Sequence, residues 1–151
     1  MHDIGKLGIA DAILLKPAKL DAAEWAVMQT HSSIGHNILS KSTAPILQMA
    51  ATIALHHHER WDGSGYPHGL AGDTIPEVAR IVAIADVFDA LTMARPYKEP
   101  WPLDRVLKTM NDSAGSHFDA SMIGNFMEIM QDILAIGEHW ASHEFDCKRR
   151  F

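Results

Sequence analysis

The chain has 151 residues, 47% of them hydrophobic, which is one domain's worth with enough apolar material for a core of its own. Its formal net charge of −6 at pH 7 argues against a general nucleic-acid binder, because an acidic surface repels a polyphosphate backbone. Cys147 is the single cysteine, so neither an internal disulfide nor a thiolate metal cage can form; with no apolar run of about 18 residues and no leader-like N-terminus, a cytoplasmic protein without a membrane span is expected.

Met1 is followed at once by His2, Asp3, Ile4, Gly5 and Lys6. A histidine beside a carboxylate can bind two neighbouring ions, the carboxylate bridging them, and Lys6 can meet a phosphate. A frayed, solvated terminus is the competing reading. Asp11 to Leu15 reads as a short helix stopped by Pro17. Asp21 with Glu24 forms a capping-box-like start, and Trp25 and Met28 follow at helical spacing, which puts His31 near the end of that helix. Ile34 to Lys41 predicts another helix, broken around Ser42 to Pro45.

Ile46 to Leu55 predicts a buried helix that delivers His56, His57, His58 and then Glu59. Neutral imidazole is the commonest metal ligand. Neighbouring residues on a helix point about 100° apart, so adjacent histidines are better placed to hold two ions side by side than to share one. Asp62, Gly63, Gly65 and Pro67 then break the helix, and the glycines leave backbone N–H groups free to approach an anion. Taken alone, this stretch also reads as a polar helix end and an ordinary turn.

Pro76 occupies a plausible first helical position and opens a long apolar-periodic segment from Val78 to Leu91, expected to be nearly all buried. Asp86 and Asp89 lie on one face of it. An unpaired buried carboxylate costs several kcal/mol, so at least one of them needs a cation or strong donors. Arg95 and Lys98, in a turn stiffened by Pro96, suit a phosphodiester. Leu103 to Asn111 is amphipathic and ends near Gly115. Asp119 caps a last helix whose stripe, from Met122 to Ile136, reads as core. No alternating strand pattern occurs, so the fold class is all-α, with about six or seven helices.

HDIGK at the start, His31, HHERWDGSGYPHGL, IADVFDALT, RPYK and GSHFD, in that order, resemble the HD-GYP domain, a branch of the HD superfamily of metal-dependent phosphohydrolases. The resemblance implies a compact multi-helix bundle that hydrolyses cyclic di-GMP to pGpG and GMP. It implies His2, Asp3, His31, His57, His58 and Asp86 as metal ligands, with Asp3 bridging and His56 left as an extra. Lys6, Arg95 and Lys98 match positions expected to contact the substrate phosphates, and Gly65, Tyr66 and Pro67 form the loop that names the family, near the substrate and a docking surface for GGDEF-domain proteins. Asp3 and Lys6 are the expected catalytic pair. Two or three divalent ions, iron or manganese, would lower the pKa of a bridging water.

Members of that family carry helices before the HD pair. The expectation is therefore an N-terminally shortened domain over residues 1–144 with a frayed tail at 145–151, and exposed apolar surface that favours a homodimer. The alternative function is a catalytically impaired module that binds or interacts in cyclic di-GMP signalling.

Overall fold

The computed structural model describes residues 1–93 and 99–137. Arg95 and Lys98 lie outside the described residues, as does the expected 145–151 tail. Near the N-terminus, a 3-10 turn, Ile4–Gly8, is followed by the short helix α1 (Asp11–Leu14). The Asp21 and Glu24 pair forms the expected capping box, each carboxylate accepting the other residue's backbone N–H at 2.9 Å, and starts α2 (Ala22–Gln29). Thr30 keeps right-handed helical angles, so α3 (His31–Leu39) begins without an intervening loop. His31 therefore heads α3 instead of ending α2. No glycine or proline separates the two helices, which is why the hydrophobic pattern alone misplaces the boundary.

Pro45 occupies the first turn of α4 (Pro45–His56), where its missing N–H costs nothing. Pro76 caps α5 (Glu77–Thr92), Pro102 caps α6 (Leu103–Asp112) and Asp119 caps α7 (Ala120–Glu128). The Asp119 carboxylate accepts the Ser121 N–H at 2.9 Å, satisfying a donor that the helix start leaves free. The last predicted helix breaks at Ile129 and resumes over residues 130–137. Among the described residues there is no strand, only two isolated bridges, so the fold is an all-α bundle.

Two cores hold these elements. Leu39, Ala50, Ala51 and Ala54 pack α3 against α4, and the small side chains let the backbones approach closely. Gly5 extends that approach to the N-terminal turn: a Cβ there would sit 1.9 Å from the His31 carbonyl oxygen. The second core joins α5, α6 and α7 through Ile84, Val106, Met110, Phe118 and Ile123. Of α5, only Ala79, Ala83 and Ile84 are buried, and Ile81 is 53% exposed. The expectation of a nearly all-buried α5 is corrected, because the helix packs against α4 and α6 and keeps one face outward. Ile136, read as core, is exposed as well, since the break at Ile129 turns the stripe.

Candidate metal centre

The close packing of the Ile4–Gly8 turn on α3 brings His2 and Asp3 over the start of α3 and the end of α4. Asp3 is the hub. One of its oxygens, Oδ1, lies 3.5 Å from His31 Nε2 and 3.8 Å from His57 Nε2. The other, Oδ2, lies 3.5 Å from His2 Nε2 and 2.6 Å from Lys6 Nζ. His2 Nε2 is in turn 3.5 Å from Asp86 Oδ1, on the face of α5 turned toward the cluster. Asp89, one turn further on, is exposed and stays outside. His58 completes the group, its ring 3.9 Å from that of His57 and 5.0 Å from that of His31.

The tautomers of the two buried histidines follow from their other nitrogens. His31 Nδ1 is 2.7 Å from the Met28 carbonyl, and His57 Nδ1 is 3.0 Å from that of Ala54. A ring N–H donated to a carbonyl leaves Nε2 with a free lone pair, and both Nε2 atoms are buried without a hydrogen-bond partner. Buried polar atoms of this kind are costly unless something meets them. Burial also pushes His57 down to about 4 and His58 down to about 3, the neighbouring imidazoles adding to the effect, so both rings are neutral donors near pH 7.

The charge balance points the same way. Burial pushes the Asp3 carboxyl up, but His2 and Lys6 outweigh it and hold the group well below the ordinary carboxylate range. Hydrogen bonding to Asp3 and then to Asp86 raises His2 to about 9, so the space between these two carboxylates favours positive charge. Ligand atoms of Asp3, His31, His57 and His58 all lie within 4.8 Å of one another. Three imidazoles, a shared carboxylate and outer-shell carbonyls fit a divalent transition metal.

The convergence of His57 and His58 corrects the expectation that adjacent histidines point apart. Helix α4 ends at His56, His57 is its C-cap and His58 follows in a turn, so the regular 100° spacing stops just before the pair. The Gly-rich loop departs from expectation too. The N–H groups of Gly63, Ser64, Tyr66, His68, Leu70 and Gly72 all donate within the protein, so these are not available to an anion. The requirement for glycine at Gly65 is steric: a Cβ would lie 2.4 Å from the Arg60 nitrogen. What the loop does present is Tyr66, stacked on His58 with ring centroids 4.7 Å apart, and edge-on to Trp25 of α2 at 6.2 Å. Pro67, joined to Tyr66 by a cis peptide, is exposed.

Two residues escaped the sequence reading. Glu59 is buried, and its carboxylate accepts the His68 N–H at 2.8 Å and the Leu70 N–H at 3.0 Å, anchoring the loop. A glutamate in the turn just after an apolar helix is the signal that could have found it, since a buried carboxylate demands donors. Trp25, 47% exposed beside Tyr66, carried no signal beyond helical spacing.

The family model described as HD domain matches residues 1–122, which carry every one of these ligands. The chain belongs to the HD-domain family. Similar proteins include a cyclic di-GMP phosphodiesterase of Thermotoga maritima, 48% identical over 133 residues, 88% of this HD domain's chain and 36% of the relative. The cyclic di-GMP phosphodiesterase response regulator RpfG of Xanthomonas campestris pv. campestris is 55% identical over 119 residues, 79% of this chain and 32% of the relative. A 3'3'-cGAMP-specific phosphodiesterase 2 of Vibrio cholerae serotype O1 is 48% identical over 136 residues, 90% of this chain and 26% of the relative. This chain thus spans between about a quarter and about a third of the length of these curated relatives. Among the described residues no helix of the HD domain is long and apolar enough to cross a membrane.

Proposed function

We propose that this HD domain is the catalytic part of a metal-dependent phosphodiesterase that hydrolyses cyclic di-GMP to pGpG and GMP. The observation that carries the reading is the pair of buried, unpartnered Nε2 atoms of His31 and His57 facing the Asp3 carboxylate. The names of the Thermotoga and Xanthomonas relatives support the substrate.

In this reading Asp3 with His31, His57 and His58 would hold one ion, and Asp3 with His2 and Asp86 would hold a second, two or three ions being the full complement. The mixed imidazole and carboxylate set favours iron or manganese. When bound, such ions act as Lewis acids and lower the pKa of the attacking water toward neutrality. The protein's own part is to fix geometry and charge. His31 and His57 are locked in orientation by their carbonyl partners, and Asp3 lies between the two halves. Lys6 exchanges its contact with Asp3 for a phosphoryl oxygen of the substrate, offsetting charge that develops there. Arg95 and Lys98 are assigned to the same phosphates on the resemblance of RPYK alone. Attack of water at phosphorus forms one P–O bond and breaks one phosphodiester P–O bond, opening the ring to pGpG, and a second hydrolysis of the remaining phosphodiester gives two GMP.

Gly65, Tyr66 and Pro67 form one wall of the substrate site. Burial and the charges of Asp3 and Asp86 push the Tyr66 phenol up, so it is a neutral donor there. Trp25 extends the wall and offers an exposed aromatic face to a purine. A cytoplasmic setting, homodimerisation through exposed apolar side chains such as Ile46 and Met49, and docking of GGDEF-domain proteins on the Gly65–Pro67 loop belong to the same proposal.

The second reading is hydrolysis of 3'3'-cGAMP, favoured by the Vibrio relative's name. Rates with cyclic di-GMP, 3'3'-cGAMP and cyclic GMP on the same metal-loaded sample test the choice. Fastest turnover of cyclic di-GMP is expected. Fastest turnover of 3'3'-cGAMP transfers the proposal to the second substrate, and turnover of none of them overturns it.

A further inference from the structure

His56 was set aside as a residue beyond the ligand set, yet its ring belongs to a second group of donors. His56 Nδ1 is buried with no hydrogen-bond partner and lies 3.8 Å from Glu59 Oε1, a carboxylate whose side chain is wholly buried. His68 comes from the far side of the Gly-rich loop, its ring centroid 5.4 Å from that of His56. One ligand atom from each of His56, Glu59 and His68 lies within 4.8 Å of the other two. None of the three belongs to the Asp3-centred cluster.

We propose that His56, Glu59 and His68 form a second, separate site for a divalent transition cation of the zinc class. Two imidazoles and a carboxylate are a common zinc donor set, and bonds of about 2.0–2.1 Å place tetrahedral ligands roughly 3.3 Å apart. The existing separations therefore need only a small closure, and exposed His68 is free to make it. Glu59 is already oriented by the His68 and Leu70 N–H groups, in the manner of an outer shell that holds a ligating carboxylate in place. The consequence is mechanical: a cation there ties the loop that carries Tyr66 to the end of α4. The site stands independently of the phosphodiesterase reading, because it requires no turnover.

The test is equilibrium zinc binding to the whole chain, stripped of metal and then titrated, for the unsubstituted protein, His68→Ala and His56→Gln. Amide hydrogen exchange at His68 and Leu70 is read alongside. Each variant is expected to bind one zinc equivalent fewer, the affinity for that equivalent falling at least about 100-fold, since loss of even an outer-shell partner costs 10- to 100-fold. With zinc at about ten times its Kd, exchange of the two amides should slow roughly tenfold in the unsubstituted chain and not in His68→Ala. Because His68 is exposed, its replacement leaves the fold intact. Equal zinc equivalents in all three proteins, or exchange that zinc does not alter, overturns the proposal.

Discussion

Asp3 has two carboxylate oxygens, and the fold turns one toward His31 and His57 and the other toward His2 and Lys6. Replacing it with asparagine keeps the shape and removes the charge that a pair of cations would share. Asp3→Asn is expected to lose at least one divalent ion per chain, read by elemental analysis of the purified protein; full retention would move the centre elsewhere. Trp25 tests the substrate wall instead of the metals. Base stacking on an aromatic ring is worth about 1–3 kcal/mol, so Trp25→Ala should raise KM for a cyclic dinucleotide roughly tenfold while metal content stays constant. The grouping of His2, Asp3, His31, His57, His58 and Asp86 was expected from the resemblance of the motifs, while residue chemistry alone singled out Asp86, because an aspartate in an apolar helix demands a partner. Glu59 was not legible in the sequence, since its role depends on two backbone N–H groups that only the closed loop brings to it.

At the level of elements, glycine decides how closely the pieces of the site approach. Gly65 lies against the turn that follows α4, where a Cβ would be 2.4 Å from the Arg60 nitrogen and 2.6 Å from the Glu59 Cα. Backbone cannot yield as a side-chain tip can, so Gly65→Ala is expected to cost about 3 kcal/mol and lower Tm by roughly 6–12 °C in thermal unfolding. An unchanged Tm would mean that the loop is not packed as described. Helix positions were legible to within a residue or two from caps and prolines, as at Asp21, Pro45 and Asp119. The junction at Thr30 was not, because a helix that ends and restarts without a breaker has no signature in composition. That junction matters: it puts His31 in the first turn of α3, directly under Asp3.

Across the whole molecule, α5 packs against both α4 and α6, and the link between the α4 turn and the loop before α7 runs through His117. Its carbonyl accepts the Trp61 N–H at 3.1 Å and its ring stacks on Phe118. Burial, helped by Arg60, pushes the His117 imidazole from 6.5 down to about 4. A histidine depressed in the folded state takes up its proton on unfolding, so its contribution is complete above pH 6.5 and is lost as pH falls toward 4. Tm should therefore decline across that window, and decline less steeply in His117→Asn; parallel curves for the two proteins would remove His117 from the account. The bundle's all-α class was readable from the absence of alternation, whereas the outward face of α5 was not, since apolar periodicity cannot distinguish a helix packed between two neighbours from one sunk in a core.

The Asp3-centred cluster is proposed to bind divalent ions and to use them to open a cyclic dinucleotide. The most direct measurement is turnover of cyclic di-GMP by the stripped protein as manganese or ferrous iron is restored, with ions per chain counted on each sample. Turnover that rises with the second ion and is absent in Asp3→Asn is the predicted result. Turnover that persists without bound metal, or protein that binds two ions through these ligands and leaves cyclic di-GMP intact, would contradict it.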